Sequence, residues 1–361
     1  PAWQAELAAW EAREKASPAP EWKTLDLTYD ATSDGGQKFL PLGDGSYLAA
    51  GYAPTHFGPK SSAPSPLGTI TAVRLELLTD PNLPRNGPGR SIYGSCALSE
   101  FDFRIAPADA TFDKFEEWEK VEVVSAIADV NPPVKPLGPE YPDREGKRQA
   151  TTGGIELAID KNGETAWTTD LGDERTNQPR YAIFKLAKAL EVKPGMKLGV
   201  RLQQNHGGWN SDDNQNNNLG RFRVSVTDAL NLPERALPVA VLAALGKPAD
   251  QRSAAENDAL FSYWRTTVAA LSAENAEAEK AWADCPRGDT QLVYRERETP
   301  RETFRLNRGD FLQRAEKVEP GVPGFLHPMR ADAPKNRIGL AEWLTDKKSP
   351  TTAPTFVNQV W

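Results

Sequence analysis

The 361-residue sequence has little cysteine and histidine, and this shortage excludes several kinds of site. Cys96 and Cys285 are its two cysteines. Neither belongs to a CxxC or CxxCH pattern, so the sequence encodes no cysteine zinc cluster and no covalently attached haem. The three histidines, His56, His206 and His327, are widely separated and form no HExxH motif. The GxSxG, GxGxxG and Walker patterns are missing too, so no common hydrolase or nucleotide-binding motif is present.

Long apolar runs and basic blocks are also absent. No apolar stretch reaches the roughly 18 residues of a membrane span, so we expect no transmembrane helix. The formal net charge is −7, and no cluster of Lys and Arg is available to neutralise phosphates, which argues against a nucleic-acid partner. The chain begins at Pro1 without methionine and stops at Trp361 inside a predicted helix. We therefore expect it to be a piece of a larger protein.

Short predicted strands fill the sequence from about residue 22 to residue 227. They alternate apolar and polar residues or are rich in β-branched ones, and Gly, Pro, Asn and Asp clusters separate them. The runs are SYLAAGY (46–52), GTITAVRLELL (68–78), CALSEFDFRI (96–105), KVEVVSAIA (120–128), GIELAI (154–159), RYAIFKL (180–186), KLGVRLQQ (197–204) and GRFRVSV (220–226). Many short strands without intervening helices predict an antiparallel β-sandwich or jelly roll.

Helical patterns flank this region. Residues 2–15 predict a short amphipathic helix, and residues 235–246 predict another that Gly246 ends. Residues 249–283 predict one long helix or a helical hairpin, and a final helix is predicted to begin near Arg337. The fold class is therefore mainly β with an α-helical C-terminal part. The predicted domains are an N-terminal helix and linker (1–21), a β-sandwich (22–230) and a helical, truncated C-terminal domain (231–361).

The polar stretch HGGWNSDDNQNNN (206–218) lies directly before the last predicted strand and is the first candidate site. Trp209 can stack on a sugar ring while neighbouring amides, carboxylates and an imidazole take its hydroxyl groups. Calcium prefers hard oxygen ligands of the same types, although the EF-hand pattern is missing, and a plain solvated loop remains an alternative. The candidate ligand-binding residues are His206, Trp209, Asn210, Asp212 and Asp213. The candidate metal ligands are Asp212, Asp213, Asn216 and Asn218.

A second candidate is the corner TDPNLPRNGPGRSIYGS (79–95), which is rich in Pro and Gly. Arg85 and Arg90 in this corner can offer forked donors to a carboxylate or sulfate. The alternative is that Arg90 closes the corner by pairing with Asp80 or Glu100.

A carboxylate pair is the third candidate. Glu100 and Asp102 lie two residues apart on a predicted strand and share one face, opposite Phe101 and Phe103. Such a pair can hydrolyse glycosidic bonds. A polar solvent-facing side over an aromatic core side explains the same pattern without chemistry, so no catalytic residue is assigned.

Two sets of segments resemble a known group of proteins. They are ITAVRLELLTDPNLPRNGPGRS, CALSEFDF, AIDKNGETAWTTD and LGRFRVSVT in the β region, with LPVAVLAALGKPADQRSAAENDALFSYW and RIGLAEWLTDKKSPTTAPTFVNQVW after it. Together they resemble large secreted planctomycete-type proteins that join a cytochrome-c-like domain to domains of unknown function, the more C-terminal of which is numbered fifteen-fifty-three. The resemblance implies an extracellular, periplasmic or cell-surface location and association with the other domains of the larger protein. The haem motif is absent, so electron transfer cannot be assigned to any residue.

The segment IELAIDKNGETAWTTD is similar to the galactose-binding-like sandwich module of the discoidin and coagulation-factor type. The turn of that module has counterparts here in Ala158, Asp160, Asn162, Gly163, Thr165 and Trp167. The resemblance implies glycan binding through loops at one end of the sandwich, together with a structural calcium ion.

These observations favour a non-catalytic carbohydrate-binding β-sandwich module, with a polysaccharide as partner and calcium as its cofactor. The first alternative is a structural or assembly domain of a cell-surface complex associated with cytochrome c. The second is a polysaccharide-processing enzyme that uses Glu100 and Asp102.

Overall fold

The computed structural model describes residues 2–16, 19–30, 36–138, 150–172, 175–208, 216–286, 288, 293, 301–310 and 312–360. The chain divides into two compact units, Pro1–Thr290 and Gln291–Trp361. The first unit contains the β-sandwich together with the helices between residues 239 and 283, so the sandwich and these helices form one compact body. The fold is mainly antiparallel β with a helical C-terminal part, as the sequence predicted.

The first unit contains strands of two to twelve residues. They are β1 Lys23–Thr24, β2 Thr28–Tyr29, β3 Gln37–Pro41, β4 Tyr47–Gly51, β5 Lys60–Pro64, β6 Thr69–Leu77, β7 Ala97–Leu98, β8 Glu100–Pro107, β9 Glu119–Lys120, β10 Val123–Ala128, β11 Lys135–Pro136, β12 Thr151–Gly153, β13 Thr165–Thr168, β14 Arg180–Glu191, β15 Met196–Gln203 and β16 Arg221–Thr227. A seven-stranded sheet has the order β10-β14-β6-β16-β4-β3, with β1 paired to β16. A five-stranded sheet has the order β2-β5-β15-β8-β9, and a smaller sheet has the order β11-β12-β13-β7.

The two larger sheets pack face to face around one apolar core. Phe101 of β8 stacks on Phe184 of β14 with 3.9 Å between the ring centroids, which joins the five-stranded sheet to the seven-stranded one. Phe103 and Phe222 are also fully buried. Because strand side chains alternate between faces, these buried rings lie at every second position of their strands. Burying each ring stabilises the fold by about 2–3 kcal/mol.

The helices of the first unit are α1 Ala2–Ala16, α2 Val239–Leu245, α3 Ala254–Trp264 and α4 Ser272–Ala283. Val239 of α2 packs against Ala72, Tyr181 and Ile183 on the outer face of the seven-stranded sheet. Trp10, Leu260 and Trp264 are buried where α1, α2 and α3 meet. Residues 249–283 were predicted to form one long helix or a helical hairpin. They form two helices, because Val268 has an extended backbone (φ −100°, ψ 109°) and separates α3 from α4.

Two kinds of difference separate the predicted strands from the observed ones. GIELAI (154–159) is a 3-10 helix over Ile155–Ala158, because Asn131 Oδ1 accepts the Ile155 N–H at 3.0 Å and holds a tight turn there. The strand β5 was not predicted, because its inward positions include Ser61, whose hydroxyl donates to Val200 O at 3.0 Å. A strand that buries serines gives no apolar alternation to read.

The second unit contains a hairpin, β17 Thr303–Leu306 with β18 Arg314–Val318, and two helices, α5 Arg337–Leu344 and α6 Thr352–Val360. The rings of His327 and Trp343 stack at 4.8 Å, and Trp343 Nε1 donates to His327 O at 2.7 Å. In the described parts of both units, no helix is long and apolar enough to cross a membrane.

Candidate functional site

The two described ends of the polar stretch, Gly208 and Asn216, meet at one place. The backbone N–H of Gly208 donates to Asn216 Oδ1 at 2.9 Å, and we call this closed pair the neck. β15 ends shortly before the neck and β16 begins shortly after it. Four of the predicted ligand residues fall between the two halves of the neck and lie outside the described residues: Trp209, Asn210, Asp212 and Asp213.

The asparagines after the neck are buried rather than solvated. Asn216, Asn217 and Asn218 are 2%, 5% and 1% exposed. Asn216 Nδ2 donates to Ala53 O, and Asn218 Nδ2 donates to Pro54 O at 3.1 Å, so the stretch is fastened to the segment before β5. The side-chain oxygens of Asn217 and Asn218 are buried with no hydrogen-bond donor among the described residues. Oxygens of this kind suit a hard cation or an ordered water.

His206 is a buried structural residue, which corrects its prediction as a ligand-binding side chain. It is only 1% exposed. Its Nδ1 lies 3.0 Å from Ser99 Oγ and its Nε2 lies 2.9 Å from Thr151 O, so both ring nitrogens are engaged in hydrogen bonds. Since one ring nitrogen of a neutral histidine donates and the other accepts, the bond to the carbonyl places the proton on Nε2. His206 therefore joins β12 to the end of β15.

The predicted ion pair of Arg90 with Asp80 or Glu100 is wrong. Arg90 is buried and donates instead to two backbone carbonyl oxygens, those of Gly51 and of Tyr52, the latter at 3.0 Å. Asp80 lies 3.4 Å from Arg221. Burial lowers the pKa of Arg90 from its ordinary value. Its backbone bonds make Arg90 a brace of the corner rather than a donor presented to a ligand.

Arg85, at the tip of the corner, is half-buried and has a left-handed backbone with φ 52°. Its guanidinium donates to Gly288 O at 2.7 Å and its Cζ lies 5.5 Å from the centre of the Tyr93 ring. An arginine with these contacts is held in place from two sides. Its predicted role in binding an anionic group remains a prediction.

The two candidate stretches are neighbours in the fold. The N–H of Arg90 donates to Asn218 O at 2.9 Å, and the N–H of Ala97 donates to Asn217 O at 2.9 Å. Gly89 pairs with Leu219 in an isolated bridge, and a Cβ on Gly89 would lie 1.9 Å from Ser95 O, so only glycine fits. The corner and the asparagines after the neck therefore form one end of the sandwich.

A cluster of five polar side chains just before the neck was missed by the sequence analysis. We call it the Glu100 cluster, and its members are Glu100, Asp160, Asn162, Gln203 and Asn205. Gln203 lies opposite Glu100 across the β15–β8 pair, and its Nε2 donates to Asn205 Oδ1 at 2.6 Å. Asp160 and Asn162 are exposed and the other three are half-buried, so the cluster faces solvent.

The turn that resembles the galactose-binding-like module supplies two members of the cluster. Asp160 Oδ1 accepts the N–H of Asn162 at 2.9 Å, and its Oδ2 accepts the hydroxyl of Thr165 at 2.7 Å. Asn205 Nδ2 donates to Gly163 O at 3.2 Å, which fixes the turn against the end of β15. These bonds hold the carboxylate of Asp160 beside Glu100.

The acidity of Glu100 reflects this setting. The pKa of Glu100 is raised to about 7 by burial and by the nearby carboxylate of Asp160, while the Asn162 N–H acts in the opposite direction. Glu100 Oε1 is buried with no hydrogen-bond donor among the described residues. Near neutral pH the cluster therefore holds a carboxyl group that is about half protonated and can donate or accept.

Asp102 does not form the predicted pair with Glu100. Asp102 is 4% exposed, and its Oδ2 lies 2.9 Å from both Arg104 and Arg201. The segment 112–118 covers this face, so the solvent-facing side predicted here is wrong at Asp102. The carboxylate that lies against Glu100 is Asp160.

Among the described residues, no three His, Cys, Asp or Glu side chains are grouped to hold a metal ion. The polar side chains of the Glu100 cluster are amides and carboxyl groups, which exchange hydrogen bonds with hydroxyls. No protein family, curated protein or solved structure matches this chain.

Proposed function

We propose that this chain is a non-catalytic carbohydrate-binding β-sandwich module whose site is the end of the sandwich around the neck. The observation that carries the proposal is the Glu100 cluster, where three amides and two carboxyl groups share a solvent-facing patch next to the stretch that contains Trp209. Binding loops at the end of a rigid scaffold are a common arrangement.

Sugar recognition needs two kinds of contact, and both kinds of group occur here. Amide and carboxyl groups exchange hydrogen bonds with hydroxyls. Gln203 and Asn205 are joined to each other and Asn205 is joined to Gly163, so their positions are fixed before a ligand arrives. A tryptophan supplies a flat apolar face for the C–H side of the ring, and Trp209 follows the neck directly. Fixed polar groups lose little conformational entropy on binding.

A non-catalytic role agrees with the state of the carboxylates. The catalytic alternative used Glu100 with Asp102, and Asp102 is held by two arginines. Asp160 lies close enough to Glu100 to raise its pKa, whereas glycosidases separate their two carboxyl groups by at least about 5 Å so that a sugar fits between them. The pair is therefore better suited to holding hydroxyls than to cleaving a glycosidic bond.

A thermal-melt screen against neutral and acidic polysaccharides tests the proposal. A ligand that binds the folded state raises the melting temperature by mass action. We expect one polysaccharide class to raise it, and Asn205→Ala to remove most of that rise. Asn257→Ala, an exposed asparagine on α3, is the matched control and keeps the full rise. A screen without any rise would count against the module.

Calcium is the proposed cofactor of this end. Asp212 and Asp213 would supply charge, and the buried oxygens of Asn217 and Asn218 fit a hard cation. Asn216, also predicted as a ligand, uses its oxygen in the neck instead. When bound, calcium would connect Asp212 and Asp213 to the buried oxygens of Asn217 and Asn218. In that arrangement the ion positions the binding surface and takes no part in a reaction.

A structural or assembly role is the second candidate, and one observation favours it. The second unit exposes large apolar side chains, including Ile338 at 63%, Phe356 at 65% and Val360 at 72%. Such patches are typical of surfaces that meet a partner. The proposed partners are the other domains of a larger secreted protein. Sedimentation of the chain with those domains supplied separately tests this, and separate migration would contradict it.

A further inference from the structure

A large cavity lies in the first unit between the seven-stranded sheet and the helices that cover it. Its volume is about 730 Å³, within the range of roughly 300–1,000 Å³ that small-molecule sites occupy. Six apolar or aromatic side chains line it: Trp22, Tyr181, Ile183, Leu237, Leu242 and Leu245. The cavity is on the outer face of the sheet and shares no lining residue with the Glu100 cluster.

One charged side chain in the wall has hydrogen-bonding capacity to spare. Arg74 of β6 lines the cavity with its guanidinium 4.9 Å from the centre of the Trp22 ring. Its Nε is buried and has no acceptor among the described residues. Glu76 lies 3.1 Å from Arg74, but Glu76 also accepts two hydrogen bonds from Arg223, at 2.8 and 3.0 Å. Arg74 therefore shares Glu76 with Arg223, which also lies 3.9 Å from Asp44.

The other charges around the cavity nearly cancel. The guanidinium of Arg235 is hydrogen-bonded to Glu14, and Lys15 and Glu234 carry opposite charges in the same lining. Burial lowers the pKa of Arg74 from its ordinary value, which reflects the cost of holding this cation away from water. A carboxylate from a ligand would place a negative charge beside the guanidinium of Arg74 and form charge-assisted hydrogen bonds with it.

We infer that this cavity binds a small organic anion with an apolar body, such as a medium-chain carboxylate. The ligand's carboxylate pairs with the guanidinium of Arg74, whose side chain is 23% exposed, and its apolar chain lies against Tyr181, Leu242 and Leu245. The inference is independent of the carbohydrate site, because the cavity is lined by residues of the seven-stranded sheet, whereas Glu100 and Gln203 belong to the five-stranded sheet.

Calorimetric titration with decanoate tests the inference, with decanol as the uncharged probe of similar length. We expect saturable 1:1 binding of decanoate, and binding of decanol weaker by about tenfold or more, because a charge-assisted hydrogen bond is lost. Arg74→Met keeps an apolar side chain against Trp22 and removes the guanidinium donor, so it should weaken decanoate binding by a similar factor. Arg314→Met is the matched control, since Arg314 also lies over an aromatic ring (Phe304, 5.4 Å) but belongs to the second unit.

Leu242→Glu is a second test that does not depend on the folding of the Arg74 variant. Leu242 is 42% exposed, so the change is compatible with folding, and it places a negative charge in the cavity wall. We expect it to abolish decanoate binding. The inference is overturned if decanoate does not bind, if decanol binds as tightly, or if Arg74→Met and Leu242→Glu both bind like the unmodified chain.

Discussion

Asn216 closes the neck of the polar stretch by accepting the Gly208 N–H at 2.9 Å, while its other side-chain atom donates to the carbonyl of Ala53. One buried amide therefore joins both ends of the stretch to the segment before β5. The candidate site is therefore attached to the sandwich by a fixed hydrogen-bonded base at Asn216.

Replacing Asn216 should destabilise the first unit. Asn216→Ala leaves the Gly208 N–H and the Ala53 carbonyl without their partner in a buried place, and each unsatisfied group costs about 1–3 kcal/mol. We expect the free energy of unfolding to fall by about 2–4 kcal/mol in urea titrations. Asn257→Ala, on the exposed face of α3, should change it by less than about 0.5 kcal/mol. Equal small effects would show that the neck contributes no stability.

Glu100→Gln should remove part of the pH dependence of stability. In the folded chain the pKa of Glu100 is raised by burial from 4.5 to about 7, so the native state binds more protons between these values. The stability contributed by the protonated group is therefore complete below pH 4.5 and is lost as the pH rises through about 7. The variant, which stays neutral, should gain in stability relative to the unmodified chain over this window.

Urea titrations of both chains at several pH values measure this difference. Asp129, whose pKa is raised by burial to about 6, titrates in the same window but is present in both chains and cancels. Two stability curves that stay parallel from pH 4.5 to about pH 7 would contradict the account of Glu100.

The buried ion pairs of β8 should matter far more than their exposed neighbour. Asp102 has a side chain only 5% exposed and lies between Arg104 and Arg201, so Asp102→Ala leaves a buried guanidinium poorly compensated and should cost about 3–5 kcal/mol. Glu116 contacts the same arginines but is 58% exposed, and Glu116→Ala should cost less than about 1 kcal/mol. Equal losses in chemical denaturation would contradict this order.

Calcium should raise the melting temperature if the proposed ion is bound, and a chelator should lower it again. The double change Asp212→Asn and Asp213→Asn removes the charged ligands and should abolish both effects. Asp258 is an exposed residue of α3, and the Asp258→Asn variant should respond to calcium like the unmodified chain. If neither calcium nor the chelator changes the melting temperature, the chain does not bind the proposed calcium ion.

The sequence predicted the β-sandwich because its core strands alternate. β6, β8, β14, β15 and β16 place apolar residues at every second position, and a half-buried strand requires that pattern. It could not predict β5, where buried serines are satisfied by hydrogen bonds. It left open whether 249–283 is one helix or two, and it did not place the break at Val268.

The candidate site was only partly predictable for a related reason. The sequence indicated that 206–218 and 79–95 are special, and the structure brings them together through Asn217 and Asn218. The Glu100 cluster depends on the register of β8 against β15, which places Gln203 opposite Glu100. No local pattern specifies that register. The sequence therefore suggested Asp102, two residues away, as the carboxylate partner of Glu100, instead of Asp160, which is distant in sequence.

The most direct test of the carbohydrate proposal is calorimetric titration of the best polysaccharide from the melt screen into the unmodified chain and into Trp209→Ala. Trp282→Ala is the matched control, because Trp282 is also a surface tryptophan of the first unit, 41% exposed. The account predicts saturable binding that Trp209→Ala weakens by about tenfold or more and Trp282→Ala leaves unchanged. Binding that both variants retain at full strength would contradict a carbohydrate site at the neck.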